Sequence, residues 1–128
     1  MGDRDDTYIL IASSQPALRK GLRVFLDEEY GLFVVAEAGD SHELIKKTES
    51  TLPDVVLLDW DLLERATPIL IKAISALEDH SAIIVLSVVA DHRCASIEAG
   101  ADAFVDISEP PGKLLVVINE TLKVREQM

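Results

Sequence analysis

Two aspartates, Asp59 and Asp61, stand one residue apart at the end of an unbroken apolar run. The run is Val55, Val56, Leu57 and Leu58, introduced by the turn dipeptide Pro53-Asp54. A short apolar stretch bounded by turn residues fits a strand buried on both faces of a parallel sheet. Open parallel sheets keep their ligands and chemistry beyond the carboxyl ends of the strands. Asp59 therefore lies where such a protein holds its site, and the other strand ends matter by what they bring to it. They bring Ser13 and Ser14 after Tyr8–Ala12, Ser87 at the end of Ala82–Ser87, and Asp106 with Ile107 after Ala103–Val105. Asp61 offers a second carboxylate for a metal; its plain alternative is a loop acid in solvent. Mg²⁺ usually takes one or two carboxylates, and a serine hydroxyl is a neutral, weaker ligand.

The elements that must position these residues alternate. After the first strand, Ser14 is a candidate N-cap and Pro16 suits a first helical turn. Leu18, Leu22, Phe25 and Leu26 then recur at helical spacing, and Gly31 ends that region. Leu32–Ala38 reads as the second strand. Asp40 with Glu43 resembles a capping box, opening a helix that carries Leu44, Ile45 and Thr48. Beyond Asp59, Pro68 stands near the start of a third helix marked by Ile69, Leu70, Ile74 and Leu77. Asp91 caps a short helix to Ala99, and Gly100 supplies a left-handed stop. Pro110-Pro111 introduces a last helix with Leu114, Leu115, Ile118 and Leu122 inward. Five alternations of strand and helix predict an α/β fold, a parallel sheet with helices on both faces.

At 128 residues the chain reads as one domain over 1–128, with residues 1–7 and the last few frayed. Its net charge of −11 repels nucleic acid and anionic membranes, so direct contact of this chain with DNA is not expected. Arg19, Lys20 and Arg23 form a basic cluster that a solvated helix face explains. The single cysteine, Cys94, excludes an internal disulfide and suits a reducing compartment. His42, His80 and His92 show no metal-ligand spacing. With no signal peptide and no membrane-length apolar run, a cytoplasmic protein is expected.

ILIASSQPALRKGL, PDVVLLDWDL, IIVLS and AGADAFVDISEPPGKLL resemble successive blocks of the receiver domain of two-component response regulators. The closest likeness is to receivers that usually precede a helix-turn-helix DNA-binding domain, for which 128 residues leave no room. The resemblance implies a flavodoxin-like, doubly wound, five-stranded parallel sheet of order 2-1-3-4-5 with five helices. It also implies a phosphorelay role with a sensor histidine kinase or other signalling protein as partner. Receivers accept a phosphoryl group on an aspartate ending the third strand, here Asp59. A Ser or Thr ending the fourth strand, here Ser87, turns toward the phosphoryl oxygens. A side chain on the fifth strand, here Phe104, often switches rotamer with it.

Three positions depart from that pattern. The two acids that help hold Mg²⁺ after the first strand are replaced by Ser13 and Ser14. The lysine ending the fifth strand is replaced by Ile107. A pair of unit charges ~4 Å apart is worth about 4 kcal/mol at an effective dielectric of 20, so losing two carboxylates removes several kcal/mol of metal affinity. Phosphoryl transfer rests on positioning and on cations that neutralise the oxygens. The expectation is a pseudo-receiver acting through protein contacts, with no cofactor and with Mg²⁺ binding weak or absent. The alternative is a competent receiver phosphorylated on Asp59, with Asp61 and backbone carbonyls holding the metal.

A remote alternative is an enzyme. An apolar strand ending in Asp-x-Asp is also similar to the nucleophile motif of haloacid-dehalogenase-type phosphatases. That motif usually opens its domain, whereas two strands precede it here, and the family's later lysine and acidic metal motif are not evident. The reading is therefore non-enzymatic. Trp60, next to Asp59, either covers the site or packs on a neighbouring loop. On the last helix, Val116, Val117 and Val124 add apolar groups off the core stripe, which is expected to mark homodimerisation.

Overall fold

In the computed structural model, residues 6–62, 66–77 and 81–126 are described. His80, residues 1–5 and residues 127–128 lie outside them; the fraying expected over 1–7 does not hold at Thr7, which is buried and opens the first strand. The strands are β1 (Thr7–Ala12), β2 (Leu32–Ala38), β3 (Val55–Asp59), β4 (Ala82–Ser87) and β5 (Ala103–Asp106). The helices are α1 (Pro16–Asp27), α2 (Ser41–Thr51), α3 (Thr67–Ser75), α4 (His92–Ala99) and α5 (Gly112–Glu126), with a 3₁₀ turn at Trp60–Leu62. All strand pairs are parallel and the order is β2-β1-β3-β4-β5. This is the five-helix, flavodoxin-like architecture expected from the sequence.

The apolar runs explain the layering. Leu10, Val56, Leu58, Ile83 and Val85 point to one face, against Leu44 of α2 and Leu70, Ile71 and Ile74 of α3. Ile9, Ile11, Leu57, Ile84 and Leu86 point to the other, against Leu26 of α1 and Leu114 and Ile118 of α5. Strands buried on both faces have no use for alternating polarity, so the sequence shows continuous apolar runs. The sheet's lower edge is stitched by Asp54. Its carboxylate accepts the Tyr8 amide at 2.8 Å. Its own amide donates to the Tyr8 carbonyl at 2.7 Å, and its carbonyl accepts from Ala82 at 2.9 Å. β1 starts one residue earlier than its apolar pattern, because the Thr7 amide donates to the Gly31 carbonyl at 2.7 Å.

Several local expectations are corrected. Ser14 is exposed and is not the cap of α1; Gln15 holds that position without a side-chain bond, and its amide donates to the Ser13 hydroxyl at 3.1 Å. Asp91 stands at the N-cap of α4 but its side chain makes no cap bond. Ile69 is 71% exposed, and α3 instead buries Thr67, Leu70, Ile71 and Ile74. The Thr67 hydroxyl donates to the Trp60 carbonyl at 2.8 Å, which sets the helix phase so that this i, i+3, i+4, i+7 stripe faces in. Val117 of α5 is half-buried against the core, so only Val116 and Val124 of the three valines are exposed. The basic cluster is not a free face: Arg19 and Arg23 both pair with Glu37, at 3.2 and 3.0 Å. The Asp40 cap of α2 forms, and the return bond of Glu43 reaches Gly39, one residue before the N-cap, in place of the Asp40 amide of a strict capping box. The Glu43 amide donates to Asp40 at 2.8 Å, and the Glu43 carboxylate accepts from the Gly39 amide at 2.8 Å. Gly100 closes α4 at φ 116°, as its left-handed role requires.

The layering makes a graded expectation. Leu57→Ala empties a fully buried position and should cost about 3 kcal/mol of unfolding free energy. Asp40→Ala removes only a helix cap and should cost about 1 kcal/mol. Urea titrations of both variants check the order, which is reversed if Leu57 is not a core residue.

Candidate functional site

The site lies at the carboxyl ends of β1 and β3. The chain leaves β1, passes out to β2 on one side and returns to β3 on the other, so this is the switch point of the sheet. Asp59 is 3% exposed. A buried carboxylate is costly unless its oxygens are hydrogen-bonded. The Ser13 hydroxyl, fully buried, donates to one Asp59 oxygen at 2.7 Å. The Asp61 amide donates to the other at 3.1 Å. Among the described residues no ion pair reaches Asp59.

Ser13 is aimed by the elements around it. Arg19 on α1 donates to the Ser13 carbonyl at 2.6 Å and is itself fixed by Glu37 of β2. The Gln15 amide donates to the Ser13 hydroxyl, leaving the hydroxyl proton for Asp59. Ser14 takes no part; it faces solvent. The Asp61 residue is exposed, and the contact it makes with Asp59 comes from its backbone.

On the far side, Ser87 is 6% exposed. Its oxygen accepts the Val89 amide at 3.0 Å and lies 2.8 Å from Nδ1 of His92. Both partners belong to the β4–α4 connection and the start of α4. The His92 ring stacks on Trp60, with centroids 4.3 Å apart and planes 17° apart. This settles the place of Trp60: its ring partner is His92. Phe104 is 4% exposed and the Arg93 guanidinium lies 4.9 Å from its ring centroid. Ile107 is half-buried and packs with the α1 and α5 side of the core, while its amide donates to the Ser87 carbonyl at 3.0 Å. Asp106 turns its carboxylate to Ser108. The Ser108 hydroxyl and then its amide, donating at 2.6 and 2.9 Å, hold that carboxyl below its ordinary value.

The arrangement therefore joins Ser13 and Asp59 closely, keeps Ser87 with His92, and leaves Ser14 outside. Sequence reasoning considered His92 only as a metal ligand and missed its bond to Ser87. The donor set does not fit a Mg²⁺ site built on clustered carboxylates: one aspartate, a neutral hydroxyl already bonded to it, and an outward-facing Asp61. Among the described residues no group of three His, Cys, Asp or Glu side chains lies close enough to hold a metal ion. No described helix is long and apolar enough to cross a membrane.

A family model described as response regulator receiver domain matches residues 9–119. The nitrate/nitrite response regulator protein NarP of Escherichia coli is 31% identical over 117 residues, 90% of this chain and 54% of that protein. A LuxR-family two-component response regulator from Aurantimonas superposes with a TM-score of 0.85 at 26% identity, covering 92% of this chain and 86% of that one. A structure of the P1 domain of CheA3 in complex with CheY6 from R. sphaeroides matches in fold, with a TM-score of 0.79 at 21% identity over 91% of this chain and 97% of that one. The chain spans about half the length, or less, of the curated relatives it matches.

The two serines should separate on substitution. Ser13→Ala strips a buried carboxylate of its shortest hydrogen bond and should cost about 1–3 kcal/mol of stability. Ser14→Ala, at an exposed position, should stay within about 0.5 kcal/mol. Chemical denaturation of both variants is the check, and equal losses would contradict the assignment of the hydroxyl.

Proposed function

The chain belongs to the response regulator receiver family, and from that premise we propose that it is a pseudo-receiver. It serves two-component signalling through protein–protein contacts and without ordinary Mg²⁺-dependent phosphorylation of Asp59. The observation that carries this reading is the 2.7 Å bond from the Ser13 hydroxyl to Asp59. At a position where the receiver pattern has an acid for the metal, this chain has a neutral donor satisfying the acceptor carboxylate. A carboxylate beside a hydroxyl needs neither a divalent ion nor an ammonium group to stay solvated in effect. Ile107 supports the same reading, since an isoleucine packed with the core supplies no charge to neutralise phosphoryl oxygens. Two losses at separate strand ends fit together: removing the clustered acids removes the need for the cation.

The partners follow from the surface. A histidine kinase or another signalling protein is the expected contact, and an acidic chain of net charge −11 is not expected to touch DNA itself. The exposed Val116 and Val124 on α5, 51% and 59% accessible, mark a face for self-association. Sedimentation at rising concentration should show dimer that Val116→Asp with Val124→Asp abolishes. A monomer throughout would remove α5 as the contact.

Phosphorylation is tested by intact mass after incubation with acetyl phosphate and Mg²⁺. The native chain should gain no phosphoryl group. The variant combining Ser13→Asp, Ser14→Asp and Ile107→Lys should gain one, lost again on Asp59→Asn, and should bind Mg²⁺ tighter by at least about tenfold. An Asp59-dependent mass gain in the native chain would overturn the pseudo-receiver reading.

A further inference from the structure

Ser87, His92 and Trp60 tie three segments together at the mouth of the site. A serine hydroxyl has one proton to give and two lone pairs. One lone pair of Ser87 takes the Val89 amide at 3.0 Å. Its remaining recorded bond is with Nδ1 of His92 at 2.8 Å. With the imidazole proton on Nε2, Ser87 gives its only proton to Nδ1; with the proton on Nδ1, the ring donates to Ser87, and in either tautomer the bond fixes the hydroxyl oxygen beside His92. The His92 ring is held flat against Trp60, in the range of a stacked aromatic pair. Trp60 in turn is fixed: its backbone continues from Asp59, its ring packs against the core, and its carbonyl accepts the Thr67 hydroxyl.

The helix that His92 opens is otherwise held lightly at this end. α4 has eight residues and no side-chain cap, and Val88 and Val89 just before it are 61% and 43% exposed. Its first turn reaches the rest of the fold through His92 on Trp60 and Arg93 over Phe104. We propose that His92 is a positioning residue: it holds the Ser87 hydroxyl away from Asp59 and, through Trp60, latches the first turn of α4 to the end of β3. Any anion lodged beside Asp59 that draws Ser87 toward it must break the bond to His92, and α4 is loosened as a result. The latch goes beyond the pseudo-receiver reading and concerns the resting site, whether or not Asp59 accepts a phosphoryl group.

The test is a mutant cycle without Mg²⁺ or phosphoryl donor, read by amide hydrogen exchange at residues 96–99 and by the emission of Trp60, the single tryptophan. Ser87→Ala and His92→Phe each remove the hydrogen bond, while phenylalanine keeps a ring on Trp60. Each should speed exchange in α4 about fivefold, the size of one ordinary hydrogen bond. The double variant should be no faster than either single one, because both remove the same contact. His92→Asn places an acceptor near the Nδ1 position but no ring. Without the ring on Trp60 it should exchange no slower than His92→Phe, and unlike His92→Phe it should shift Trp60 emission. Additive effects of Ser87→Ala and His92→Phe, or identical behaviour of His92→Phe and His92→Asn, would overturn the latch. Phosphorylation of native Asp59 would sink the pseudo-receiver reading and leave this cycle unchanged.

Discussion

Asp59 must be both buried and satisfied, and the top of the sheet is arranged around that requirement. An ionised carboxylate removed from water loses far more solvation than one neutral hydrogen bond restores, so it needs donors on both oxygens. One donor comes from its own loop, the Asp61 amide; the other crosses from β1, the Ser13 hydroxyl. That crossing bond sits where the strand order turns back on itself, so the site's only tie between the two halves of the sheet at side-chain level, among the described residues, is a serine. The tie has its own support. Arg19 holds the Ser13 carbonyl, Glu37 holds Arg19, and β1 and β2 are thereby coupled to the acceptor through α1.

A receiver with clustered acids has to neutralise them, by metal and by lysine. Here the Ser13 hydroxyl donates to Asp59, and Ile107 packs with the apolar layer of α1 and α5. Asp59 stands as one carboxylate with two hydrogen bonds. The opposite wall has also settled, with Ser87 given to His92 and Phe104 enclosed beneath Arg93.

Most of the framework was readable from the amino-acid order, for a physical reason. Strands buried on two faces are written as apolar runs, and those runs end at Asp59 and Ser87 as the structure has them. Asp40 and Gly100 were readable because capping is local chemistry. What was not readable depends on how loops travel. Ser14 and Ser13 are equivalent as letters, and only the inward turn of Ser13 decides which one meets Asp59. Ile69 and Ile71 flank Leu70 in one apolar run, and the bond from Thr67 to Trp60 decides which faces in. His92 follows Ser87 by five residues across a loop, a spacing with no helical or strand period to betray it. The valines of α5 show the same limit, since the breadth of the groove, not the sequence, buries Val117.

Asp54 has a wider implication. At the foot of the sheet, opposite the site, it binds the backbone of Tyr8 twice and of Ala82 once. Alignment of the three central strands is thus supported by one residue, whose carboxylate and amide hold Tyr8 and whose carbonyl holds Ala82. Because that clamp is remote from Asp59, mutations among the reactive groups do not threaten strand alignment. Changes at the carboxyl ends of the strands are therefore separable from the pairing at their feet. The part of this domain that keeps its shape is thus set apart from the end of the sheet that holds Asp59.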